Sequence, residues 1–275
     1  MSTTTTTSMT VPAVRPRHGA ARLITAARDT YAVAVRNLIA YKRVPQLLVF
    51  STIQPVMFVL LWRYVFGGAV RVPGRFPYVD FLMPGIFVQT VVFGSLAAAI
   101  GLAADLKSGL LERFRSLPMA RSAVLTGRTI ADLARNVLVV ALMVLVGFLV
   151  GFRTHNGVWP FLGGMLLVLL FGYTMAWIFA AVGLIVADPE SAQAAAFPVL
   201  APLVFASSAF VPLSSMPGWL QAFARNQPVS VTVEAVRTLV LGGPVASQVL
   251  KALAWMVGII LVFAPLAVQR YRRAV

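Results

Sequence analysis

The chain has 275 residues, 59% of them hydrophobic and 11% charged, with a mean hydropathy of +0.86, far more apolar surface than a soluble domain of this length can bury. The net charge of +15 does not point to nucleic acid, because no basic patch sits on a soluble segment that could present it. Zero cysteines exclude disulfides and thiolate metal sites, and with only His18 and His155 as imidazoles no metal or other cofactor is expected on this chain.

Residues 1–19, "MSTTTTTSMTVPAVRPRHG", are rich in Thr, Pro and Arg and lack an apolar core, so they read as a disordered cytoplasmic tail and not a cleavable signal. Over residues 20–45, Leu23, Ala27, Thr30, Tyr31, Ala34, Leu38 and Tyr41 recur at helical spacing among Arg22, Arg28, Arg36 and Lys42. This predicts an amphipathic helix on the membrane surface, either a solvated lead-in or a partner contact. Residues 46–275 form the membrane domain. A hydrocarbon core of ~30 Å needs about 20 helical residues, and six apolar runs approach that length: Leu47–Phe66, Phe81–Ala104, Val137–Phe152, Trp159–Ala187, Ala192–Pro212 and Ala246–Val268. The third is short, so its helix is expected to begin in the amphipathic stretch from Ser122, where Arg128, Asp132 and Arg135 share a face.

Between the second and third runs lies "DLKSGLLERFRSLP", Asp105 to Pro118. Asp105 can cap a short helix in which Leu106, Leu110, Phe114 and Leu117 form one face and Lys107, Glu112, Arg113 and Arg115 the other, with Pro118 ending it. Such an element can act as a lever held between two spans, but the pattern alone favours a lipid-surface helix with self-neutralising charges. Further on, "ADPESAQ" places Asp188 as a helix cap, Pro189 at the first helical position and Glu190 in the first turn. That turn serves as a plain cap or as a second contact for a partner. Pro198 and Pro202 in the fifth run, followed by Pro212 and Pro217, predict a kinked or broken outer half. Residues 214–243 are too polar for a straight span and are expected to form one or two short helices dipping into the outer leaflet.

Orientation follows from Lys and Arg, which are retained on the cytoplasmic side of spans. Sixteen lie in the N-terminal arm, the loop between spans two and three, and the C-terminal tail, against seven on the opposite side: Arg63, Arg71, Arg75, Arg153, Arg225, Arg237 and Lys251. Both termini are thus expected in the cytoplasm of a multi-pass cell-membrane protein. Trp62, Trp159, Trp219 and Trp255 fall near outer span ends, whereas Trp177 reads as buried packing.

Within the spans, Gln54 and Gln89 are the deepest polar side chains, with Ser95, Thr174, Ser207 and Ser208 milder. Such a lining suits a hydrophobic, amphipathic or lipid-like cargo, while each residue singly can instead serve an interhelical hydrogen bond. All eight acids lie in loops or near span ends. An ion-coupled secondary transporter or channel, the competing reading, is expected to show a midplane acid or inverted repeats, and neither is apparent. A membrane enzyme needs converging nucleophiles, acids or metal ligands at one depth, which Glu112, Asp132 and the two histidines do not make. The stretch "GLAADLKS" at residues 101–108 misses the phosphate-binding loop pattern because Leu106 stands where the second glycine is required.

"LMPGIFVQ" at 82–89, the Asp105–Pro118 loop, "SAVLTGRTIADLARN" at 122–136 and "SSAFVPLSSMPGWLQAFARNQPVSVTVEAVRTLVLGG" at 207–243 together resemble the permease subunits of ABC-2 type exporters of the daunorubicin-resistance group. The resemblance covers nearly everything after the N-terminal tail. It implies an all-α membrane domain of six spans, paired with itself or with a sister permease above two soluble P-loop ATPase subunits that bind ATP and Mg. It also implies that the cytosolic segment after span two is a coupling helix docking on the ATPase, which here places Asp105, Gly109, Glu112, Arg113, Phe114, Arg115 and Pro118 in that role. Many members of the group have a second acid beside that aspartate, where this chain has Ala104.

Overall fold

The structure, a computed structural model, describes residues 45–70, 76–108, 121–186 and 188–274. Within them every regular element is helical. In chain order these are α1 (Pro45–Leu60), continued by a π-helical turn at Leu61–Val65, α2 (Tyr78–Lys107), α3 (Arg121–Leu149), α4 (Val158–Gly183) and α5 (Pro189–Phe205). A 3-10 turn at Leu213–Ser215 then leads to α6 (Gly218–Asn226), α7 (Pro228–Leu241) and α8 (Val245–Ala274). Prolines punctuate the starts: Pro189 and Pro228 open α5 and α7, and Pro77 and Pro217 precede α2 and α6, positions where a missing N–H costs nothing.

α2 is the central element, packed against α1, α3, α4, α5 and α7. All fifteen residues from Tyr78 to Val92 are buried, the signature of a helix apolar on every side and surrounded by protein. Lipid offers tails as apolar as leucine, so helices in a bilayer are held by close contact and not by hydrophobic exclusion. Gly85 shows that contact: a Cβ there would stand 2.0 Å from the Ala209 carbonyl oxygen, so the turn after α5 lies directly on the α2 backbone. Gly183 of α4 meets α2 in the same way, with the Ala99 carbonyl oxygen 2.4 Å from its would-be Cβ. α8 is the opposite case. Only 17% of its span window is buried, and Leu250, Trp255, Val257, Leu261 and Val262 point outward, ready for lipid or for another membrane helix.

Among the described residues four helices are long and apolar enough to cross a membrane: Tyr78–Lys107, Gly127–Leu149, Val158–Gly183 and Val245–Tyr271. They coincide with the second, third, fourth and sixth predicted runs, and α3 does begin near Ser122, at Arg121. The other two runs are shorter as helices. Thr52–Val65 is an apolar helix below spanning length. α5 passes through Pro198 and Pro202 but stops at Phe205, seven residues before the expected end at Pro212, and its 17 residues reach about 25 Å. The break thus follows the prolines. Residues 214–243 hold two short helices, α6 and α7, and Val229, Val233, Ala235, Val236 and Val240 of α7 are buried in a helix packed against α2, α4 and α8.

Candidate functional site

At its Lys107 end α2 runs straight through the position where a new helix was expected to start. Asp105 and Leu106 belong to the last turn of α2, so Asp105 is not an N-cap there. Nothing between Ala104 and Ser108 breaks a helix, and Asp105 has a different partner: its Oδ2 accepts a close hydrogen bond from Arg128 Nη1 of α3. The guanidinium lies over Gly101, where a side chain would collide with it. Both charged side chains are under 20% exposed, so this is a partly desolvated pair. It clamps the two helix ends from which residues 109–120 depart. Gly109, Glu112, Arg113, Phe114, Arg115 and Pro118 lie outside the described residues, as do the N-terminal tail and the helix expected over 20–45.

The second rim element has the expected geometry. Asp188 Oδ1 accepts from the amides of Ser191 and Glu190, and Oδ2 from the Ser191 hydroxyl at 2.8 Å. These bonds, the Ser191 amide foremost, hold the Asp188 carboxyl below its ordinary range, and the charge of Lys107 at the end of α2 adds to the effect. The cap thus belongs to a helix packed against α2, within reach of the Lys107 charge. Glu190 is exposed in the first turn.

The interior polar residues divide. Ser95 and Ser207 donate within the chain's local turns, to Val91 O at 2.7 Å and Val204 O at 2.5 Å, and so are satisfied. Thr174 does the same to Leu170 O. Gln89 is buried with its Oε1 unpartnered, and the Ser208 backbone bridges Ser230 and Arg237. Gln54 is exposed on α1 and borders a cavity of about 80 Å³ shared with Pro55, Thr90, Phe93, Gly94, Arg135, Asn136 and Val139. Arg135 Nη2 donates to Gly94 O at 2.5 Å. Arg135 and Asp132 are both buried, so the acid expected near a span end lies inside the Gly127–Leu149 span.

Sequence reading missed a third cluster, at the Tyr78 end of α2. Arg237 of α7 is 7% exposed, donates through Nε and Nη2 to Phe81 O and through Nη2 to Ser208 O, and pairs with Glu234 at 2.6 Å. Its guanidinium stacks 3.6 Å from the Phe81 ring centroid. Nearby, buried Asp80 accepts from the Arg153 amide at 2.8 Å and from His155 Nε2 at 2.7 Å. The amides of His155 and Asn156 donate to Val240 O. The α3–α4 loop, α2 and α7 are thus laced together. The only hint in sequence was an arginine three residues after a glutamate on one helix.

The family profile described as ABC-2 type transporter matches residues 28–241, well over half of the chain and spanning the rim, the cavity and the Arg237 cluster. The chain belongs to the ABC-2 type transporter family. Among its relatives, the daunorubicin resistance ABC transporter permease protein DrrB1 of Streptomyces coeruleorubidus is 35% identical over 278 residues, covering 98% of each chain. The probable doxorubicin resistance ABC transporter permease protein DrrC of Mycobacterium tuberculosis is 32% identical, over 82% of this chain and 81% of its own. A putative transport permease, ycf38, of Cyanophora paradoxa is 29% identical over 77% of this chain and 74% of its own. This ABC-2 chain is therefore related over 98% of its length to one drug-resistance permease and over 82% to another, as its motifs suggested.

Proposed function

We propose that this chain is the membrane-spanning permease subunit of an ATP-driven exporter that moves a hydrophobic or amphipathic compound, drug-like or lipid-like, out of the cytoplasm or inner leaflet. The observation that carries this is the 35% identity to a daunorubicin resistance permease over 98% of both chains. In this reading α1 and α5 complete a set of six crossings, both termini face the cytoplasm, and two such subunits or a sister pair enclose the path. ATP and Mg belong to separate P-loop ATPase subunits beneath.

Residues 105–118 then form the handle that the ATPase moves. The Asp105–Arg128 clamp favours this role, because a force on the segment between the two helices reaches the central helix and α3 together. Asp188 and Glu190, at the start of a helix packed against α2, offer a second contact. Coexpression with a soluble P-loop ATPase tests the reading: the two should copurify, and hydrolysis should rise with hydrophobic substrate. Solute flux driven by a proton or sodium gradient through the lone chain in liposomes would instead establish the ion-coupled alternative.

A further inference from the structure

We propose that a cavity at the Tyr78 end of α2 is a binding site for the ammonium group of a hydrophobic amine, with Glu234 as its acceptor. The space, about 390 Å³, lies between the first turn of α2, the turn after α5 and the C-terminal half of α7. That falls in the range of small-molecule sites and equals about a dozen water volumes, room for a charged head and the first part of its apolar body. Phe76, Phe81, Leu213 and Leu241 make the walls apolar.

The polar wall is short of donors. Arg237 Nη1 serves Glu234 Oε1 at 2.6 Å, and among the described residues no donor reaches Glu234 Oε2. The carboxylate, 31% exposed, borders the space with that oxygen uncommitted. Arg237 also lines the cavity but is 9% exposed at its side chain, and its other three hydrogen bonds go to the Phe81 and Ser208 carbonyls. One turn on from Glu234, the Thr238 hydroxyl donates to Ala235 O at 2.9 Å and so offers only lone pairs. The C-terminal end of α7 reaches the cavity at Leu241 and Gly242 with no basic residue in its last turn, and that end of a helix favours a cation. Asp80 is committed to the Arg153 amide and His155 and does not line the space. An ammonium brings up to three donors to this wall, and its bond to a carboxylate is charge-assisted, while the aromatic and aliphatic walls take the body it is attached to.

The chain has no cysteine, so Leu213→Cys places a single reporter thiol on the cavity wall. Its rate of modification by a small neutral methanethiosulfonate is measured on the purified full chain in dodecyl maltoside. Dodecylamine should slow labelling about five-fold, and dodecyl phosphate should not. Dodecyltrimethylammonium, a cation without an N–H, should protect less than dodecylamine. Glu234→Gln in the same background keeps an acceptor for Arg237 and should remove the protection. Thr238→Val, which leaves the carboxylate in place, provides a second reading if Glu234→Gln does not fold, and should weaken protection. Protection by phosphatidylethanolamine as well would show an ammonium carried on a membrane lipid, whereas protection by dodecylamine alone shows a single-chain amine. Equal protection by the phosphate or the quaternary amphiphile, none by dodecylamine, or protection that survives Glu234→Gln and Thr238→Val would overturn the proposal. The assay contains no ATPase, so its failure leaves the exporter reading intact.

Discussion

Arg237 makes four hydrogen bonds from a nearly water-free position and holds together three pieces of chain that are distant in sequence. Arg237→Leu leaves the Phe81 and Ser208 carbonyls and the Glu234 carboxylate without their donor, and should cost about 3 kcal/mol. A fall in the thermal midpoint of the detergent-purified chain checks this. Arg237→Lys should rescue little, since an ammonium cannot serve a forked set of acceptors. At the other end of α2, Arg128→Asp should depress export, and Asp105→Arg added to it should restore much of the loss, read as efflux in cells at matched membrane levels. Both clusters were poorly legible in sequence. Counting arginines for topology treats each as a flag on one side of a membrane, and Arg237 looks like any other. Asp105 resembled a cap because the residues after it are amphipathic, whereas its partner, Arg128, is 23 residues away.

Apolar run length found the helices well wherever a helix was long and uninterrupted: three of the six predicted runs match spanning helices within about four residues at each end, and a fourth, Val137–Phe152, covers the later part of the Gly127–Leu149 span. The cap of α5 was equally plain, since Asp, Pro and Glu each act within one turn. What the runs could not convey is where a chain turns while remaining apolar. Residues 206–212 are as hydrophobic as the helix before them, yet they fold onto α2 because Gly85 leaves the space. Gly85→Val should therefore displace that turn and lower stability by about 1–3 kcal/mol, visible as a lower thermal midpoint. Asp188 gives a test by pH. Its carboxyl is held below the ordinary range, so its contribution to α5 is complete above the unfolded pKa and lost as pH falls through the folded one. The stability difference between the wild type and Asp188→Ala should then shrink on acidification below about pH 4.

For the molecule as a whole, the exposed apolar length of α8 means that the isolated chain is unfinished without lipid or a second subunit. In liposomes it should be inert alone and active with its ATPase, and Gly109→Pro or Glu112→Pro should abolish export while leaving the protein in the membrane. Transport assays with matched immunoblots of membrane fractions decide this; unchanged efflux would remove residues 109–120 from the mechanism. The central helix adds a mechanical corollary. α2 is one rod of 30 residues, about 45 Å long, bolted near one tip to Arg128 and near the other to the residues around Arg237. A rod of that length pivoting by about 5° at its middle swings each tip by about 2 Å in opposite senses. A push on its Asp105 end would then return at its Tyr78 end in the opposite sense, as on a seesaw.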